Sequence, residues 1–91
     1  MRGETEVSEF VAAMLATLNK PRNAAKGPWT GLTLLQLRDL LEEERREVDL
    51  EILARHYHNG LDWERLADEL QDEAVCCMFL WELCQRKIAE R

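Results

Sequence analysis

Two acidic couplets, Glu44-Arg45-Arg46-Glu47 and Glu69-Leu70-Gln71-Asp72, are the residues of this sequence best suited to chemistry. Within each, two carboxylates stand three positions apart, so on an α-helix they share a face, about 60° apart around the axis and roughly 4.5 Å along it. Four carboxylates drawn together from two helices repel one another unless cations lie between them. A hard divalent metal suits them, because Mg²⁺ takes oxygen ligands and leaves positions open for water and phosphate. The couplets thus point to phosphate chemistry on a helical scaffold.

The helix carrying the first couplet sharpens that reading. At 100° per residue and centred on Leu37, the residues Leu34, Leu40, Leu41, Val48 and Ile52 fall within about 60° of one line. Glu44 lies only about 20° from it, inside the apolar stripe, and Glu47 lies near its edge. A lone carboxylate there pays a large desolvation cost or shifts its pKa, and metal coordination is one way to keep it ionised. Glu42 points away and suits an i, i+4 pair with Arg46. The competing reading is a buried acid satisfied by protein partners, since couplets of this kind arise easily by chance.

The elements that must position these acids follow from periodicity and stop signals. Val7, Phe10, Val11, Met14, Leu15 and Leu18 have amphipathic helix spacing across Glu4 to Leu18, and Asn19-Lys20-Pro21 ends that helix. Arg22 to Gly31 holds Gly27-Pro28 and Gly31 and reads as a loop, with Trp29 packed on something. Thr33 and Gln36 have capping-box spacing, starting a helix that runs to about His58, with Asn59-Gly60 as its stop and a bend allowed near Val48 to Leu53. Asp62 caps a last helix from Trp63 to about Ala89. That helix is apolar on two sides. Leu66, Leu70, Ala74, Cys77, Trp81, Cys84 and Ile88 form one face, while Glu69 and Asp72 lead into another with Cys76, Phe79, Leu80 and Leu83. A short monomer cannot cover both, so the expectation is an all-α, three- to four-helix bundle completed by homo-oligomerisation.

Composition bounds the rest. Ninety-one residues make a single domain, 1–91, with a small core. A net charge of −6 argues against a nucleic-acid backbone as ligand, although a single nucleotide with metal-neutralised phosphates is compatible. Cys76, Cys77 and Cys84 are odd in number with no CxxC, which favours free thiols in a reducing cytoplasm over a disulfide framework or zinc site. No signal-peptide pattern or membrane-length apolar run is present. His56 and His58, two apart, face different sides of a helix and make a poor ligand pair. Ser-His-Asp sets, phosphate-cradling Gly-rich loops and basic-aromatic patches are absent.

With loop and couplets in view, the chain resembles the MazG-like all-α nucleoside triphosphate pyrophosphohydrolases, particularly the short phage and bacterial members. Asn23-Ala24-Ala25-Lys26-Gly27-Pro28-Trp29 is similar to their N-x-x-K-G-x-W loop, here within 22–32, and the couplets match their ExxE and ExxD. The resemblance implies cytoplasmic hydrolysis, in a bacterium or phage-infected host, of a (deoxy)nucleoside triphosphate, with a purine dNTP favoured, to the monophosphate and pyrophosphate. It implies Mg²⁺, or Mn²⁺ in its place, on Glu44, Glu47, Glu69 and Asp72. Glu44 and Glu47 would be the catalytic acids, and the protein would be a homodimer or homotetramer. Asn23, Lys26 and Trp29 become substrate contacts, although Lys26 also reads as a solvated loop residue and Trp29 as a packing residue. Glu82 is open between a substrate contact, a core acid and an interface residue. Val75 stands where related members often carry Asn, and Glu82-Leu83 where they have Asp-Asn. These departures motivate a non-catalytic nucleotide-binding or structural dimer as the alternative. A phosphoribosyl-ATP pyrophosphohydrolase is a third possibility on the same fold, less well matched at the loop.

Overall fold

The computed structural model describes residues 3–24, 29–58 and 62–91, with backbone alone at 22, 24 and 55–58. It is all-helical, with no strand among the described residues: α1 (Glu4–Leu18), α2 (Pro21–Ala24), a 3₁₀ turn (Trp29–Gly31), α3 (Leu34–His58) and α4 (Trp63–Ala89). The three long helices match the periodicity, and α3 is unbroken through Val48 to Leu53. The expected loop from Arg22 to Gly31 is corrected in part. Pro21 opens the short α2 instead of only closing α1, because a ring-fixed φ and a missing N–H suit the first helical position. Lys26, Gly27-Pro28 and the Asn59-Gly60 stop fall outside the described residues, as do the side chains of His56 and His58.

The helix starts are built as their residue types dictate. Thr33 N–H donates to Gln36 Oε1 at 2.9 Å and Gln36 N–H donates to Thr33 Oγ1 at 3.2 Å, a reciprocal capping box. Asp62 Oδ1 accepts from Arg65 N–H at 3.0 Å and caps α4. Replacing Thr33 with Ala should lower unfolding free energy by about 1 kcal/mol in a urea titration, the usual cost of losing such a cap. An unchanged midpoint would mean that α3 is held by packing alone.

α3 and α4 run antiparallel, and their register is set by facing polar pairs. Arg65 Nε meets Glu51 Oε1 at 2.8 Å across the pair. One turn further from the connection Glu47 faces Glu69, and a turn beyond that Glu44 faces Asp72. The α3 stripe is buried only in its middle, with Leu37 0% and Val48 5% exposed, whereas its ends Leu34 and Ile52 stay open. On α4 the inward face is the one with Asp72, Val75 and Cys76, so the face running from Leu70 to Ile88 looks outward. α1 packs on α4 and buries only Thr17, whose Oγ1 donates to Ala13 O at 3.0 Å.

This packing leaves much apolar surface uncovered. Among the described residues the buried hydrophobic ones are Leu37, Val48, Val75 and Cys76, while large ones such as Val7, Leu15, Leu50, Trp63 and Trp81 are more than half exposed. The accessible surface is 7176 Å², against about 5,500 Å² expected for a compact monomer of this mass. The radius of gyration, 15.0 Å, likewise exceeds the ~12 Å of a compact domain of this length. No helix among the described residues is long and apolar enough to cross a membrane.

Candidate functional site

The antiparallel register of α3 and α4 brings the two couplets together. One carboxylate oxygen from each of Glu44, Glu47 and Glu69 lies within 4.8 Å of the other two. Asp72, 9% exposed, stands close enough to Glu44 and Glu69 to act on both electrostatically. It is not one of the three acids whose oxygens gather so closely.

The cluster is under electrostatic stress. Burial pushes the Glu44 carboxyl up to about 7, and the charges of Glu47 and Asp72, a hydrogen bond with Glu47 and the charge of Glu69 add to the shift. Glu69 is also raised to about 7, first by burial, then by its hydrogen bond and charge interaction with Glu47 and by Asp72, with Arg65 pulling the other way. Arg65 is itself shared with Glu51. Oε2 of Glu44 and Oε2 of Glu69 are both buried with no hydrogen-bond partner. Crowded carboxylate oxygens, two of them orphaned, are a donor set that fits a hard divalent cation.

The shifts give a prediction with a definite sign. Both carboxyls bind protons more tightly folded than unfolded, so their contribution to the stability of the metal-free protein is greatest below the unfolded value of 4.5. The protein loses that advantage as pH rises through about 7. Its melting temperature should therefore be higher near pH 5 than near pH 8, and Mg²⁺ should raise it more near pH 8, where protons no longer compete. Equal Mg²⁺ shifts at both pH values would show that these acids do not hold the ion.

Beside the acids lies a cavity of about 640 Å³, with Glu44 and Asp72 in its wall together with Asn19, Asn23, Trp29, Val75, Cys76 and Phe79. Trp29 stacks on Phe79, with centroids 4.7 Å apart and planes inclined by 14°. Its Nε1 is buried with no hydrogen-bond partner. Asn23 Nδ2 donates to Thr17 O at 2.7 Å, clasping α2 to the end of α1 while the residue still lines the cavity. Glu82 is placed elsewhere, paired with Arg86 at 3.2 Å and absent from the cavity lining. Arg86 Nη1 also donates to Thr30 O at 3.4 Å, tying α4 to the 3₁₀ turn that carries Trp29.

Sequence reading missed Phe79 and Cys76 as cavity residues. The signal was available, since they follow Asp72 by seven and four positions and so share its helix face. Of the residues singled out as a site, the structure brings together Glu44, Glu47 and Glu69, with Asp72 beside them and Asn23 and Trp29 on the adjoining cavity.

Comparison with known proteins adds one relative. The chain is 33% identical over 78 residues to an uncharacterized protein of Archaeoglobus fulgidus, a match covering 86% of this chain and 76% of that one. The two belong to one family. No family profile matches the chain. No solved structure matches it either.

Proposed function

We propose that this member of the family is a Mg²⁺-dependent nucleoside triphosphate pyrophosphohydrolase of the MazG-like kind, acting in the cytoplasm on a dNTP, with a purine base preferred. One observation carries the reading: three carboxylate oxygens gathered within 4.8 Å at the edge of a cavity with an aromatic wall. A polyphosphate needs the first of these features and a heterocyclic base suits the second.

In this reading Glu44, Glu47, Glu69 and Asp72 hold the cation, and Asp72 and Glu44 also border the space the nucleotide enters. Mg²⁺, or Mn²⁺ in its place, supplies positive charge for the triphosphate and makes water more acidic when bound. Glu47 is the exposed member of the cluster and has the access needed to orient a water and take its proton. The water oxygen bonds to the α-phosphorus while the bond from that phosphorus to the bridging oxygen breaks. Pyrophosphate leaves, and the proton passes to the carboxylate. The Trp29–Phe79 stack walls the base side, with one Trp29 face taken by Phe79. Glu82 is left out of the substrate contacts in this reading, since it pairs with Arg86 and does not line the cavity.

The protein acts as a homo-oligomer, dimer or tetramer, because a lone chain exposes more surface than its mass warrants. Incubation with each dNTP and Mg²⁺ tests the reading, with pyrophosphate rather than orthophosphate expected as product. Nucleotide binding without any product would favour the non-catalytic alternative, and absence of both binding and turnover would end the proposal.

A further inference from the structure

The outward face of α4 is a stripe running its whole length. At 100° per residue Trp63, Leu70, Cys77, Trp81, Cys84 and Ile88 lie within about 40° of one line, over about 38 Å of helix. All six are exposed, Trp63 and Trp81 at 63% each. The opposite side of α4 is already committed, since Asp72, Val75 and Cys76 are buried there.

We propose that this stripe is the self-association surface, with α4 of a second copy laid on it antiparallel about a two-fold axis midway between Ala74 and Cys77. Area is the first argument. The whole chain exposes roughly 1,700 Å² more than a compact monomer of its mass, comparable to the ~1,000–2,500 Å² that one protomer contributes to an obligate homodimer, and the α4 stripe is one part of that surplus. A weak encounter would leave most of it open.

Charge fixes the direction. Residues 62–73 hold six acids (Asp62, Glu64, Asp68, Glu69, Asp72, Glu73) and one base (Arg65), a formal −5. Residues 74–91 hold Glu82 and Glu90 against Arg86, Lys87 and Arg91, a formal +1. A parallel pair sets −5 beside −5, whereas an antiparallel pair sets each −5 beside +1 and opposes the two helix dipoles.

Side-chain size fixes the register. Overlaying the two stripes end to end puts Trp63 against Ile88 of the second copy and Leu70 against Trp81 of the second copy. The small residues Ala74 and Cys77 then sit at the centre, where the backbones come closest. The inference does not depend on the hydrolase reading, because α4 buries its acidic couplet side against α3 in either case.

Thiol cross-linking separates the outcomes. With a helix rise of 1.5 Å per residue and axes 8–10 Å apart, the two Cys77 residues come within about 10 Å, while the two Cys84 residues stand about 25 Å apart. A short bis-maleimide, each end adding one thiol across its carbon–carbon double bond, should link two chains of the wild type and of Cys84→Ser but not of Cys77→Ser. Light scattering should give twice the 10.7 kDa chain mass, or a multiple of that pair, and Trp81→Glu should return the mass to one chain. A monomeric wild type at micromolar concentration would overturn the proposal. Loss of the link in Cys84→Ser would overturn the register, and an oligomer that neither thiol links would overturn the choice of face. Because cross-linking uses near-native chains, it decides the matter even if Trp81→Glu fails to fold.

Discussion

Replacing Glu44 with Gln should cut pyrophosphate release by at least about 10³-fold while leaving helicity unchanged. The amide keeps the shape of the side chain but removes the charge that holds a cation. Losing about 4 kcal/mol of metal-derived transition-state stabilisation corresponds to that factor, at 1.36 kcal/mol per tenfold. Stability should move the other way. Glu44 is crowded by Glu47, Asp72 and Glu69 and its Oε2 has no partner, so neutralising it relieves repulsion in the metal-free protein. Near pH 8 the variant should melt no lower than wild type without Mg²⁺ and should gain less from added Mg²⁺. Circular dichroism, a melt with and without Mg²⁺ and a product assay measure all three. Full activity in the variant would show that the ligand set is wrongly assigned.

Replacing Leu37 with Ala should give the largest stability loss of any single truncation, about 2–5 kcal/mol. Among the described residues Leu37 is the large side chain with no exposed surface, at the centre of the α3 stripe. For 91 residues the total unfolding free energy is of the order of 5–14 kcal/mol, so the variant stands near the edge of folding. Leu37 also lies two turns before Glu44 on the same face, and loosening there should weaken Mg²⁺ stabilisation even though Leu37 touches no ion. Leu35→Ala is the control: at 63% exposed, it should change stability by less than about 0.5 kcal/mol. A loss below about 1 kcal/mol for Leu37→Ala in a urea titration would show that the core lies elsewhere.

The features legible in the sequence were those set by local rules. The capping box at Thr33 and the Asp62 cap are fixed by residue type and a three-residue spacing, and the structure builds both as expected. Glu44 announced itself as an acid inside an apolar stripe, and its raised pKa is the electrostatic expression of that position. The α3–α4 register was not written locally, because it depends on pairs such as Glu51 with Arg65 that lie far apart in the chain. Trp29 was expected to pack, but Phe79 is 50 residues away, and no periodicity links a turn to a helix across that distance. Pro21 was read as a stop because proline ends helices more visibly than it begins them. Glu82 was left between three roles, and it took the position of Arg86 one turn on to give it an ionic partner.

The three tryptophans occupy unlike surroundings: Trp63 and Trp81 at the surface, Trp29 stacked with its indole nitrogen enclosed. The molecule therefore carries its own optical labels. In a protomer freed from its partner, iodide or acrylamide should quench the emission of Trp63 and Trp81 first, leaving a blue-shifted remainder from Trp29, whereas the paired α4 stripes should shield all three. Since Trp29 borders the cavity, that protected remainder reports on whatever enters it, without any dye being attached.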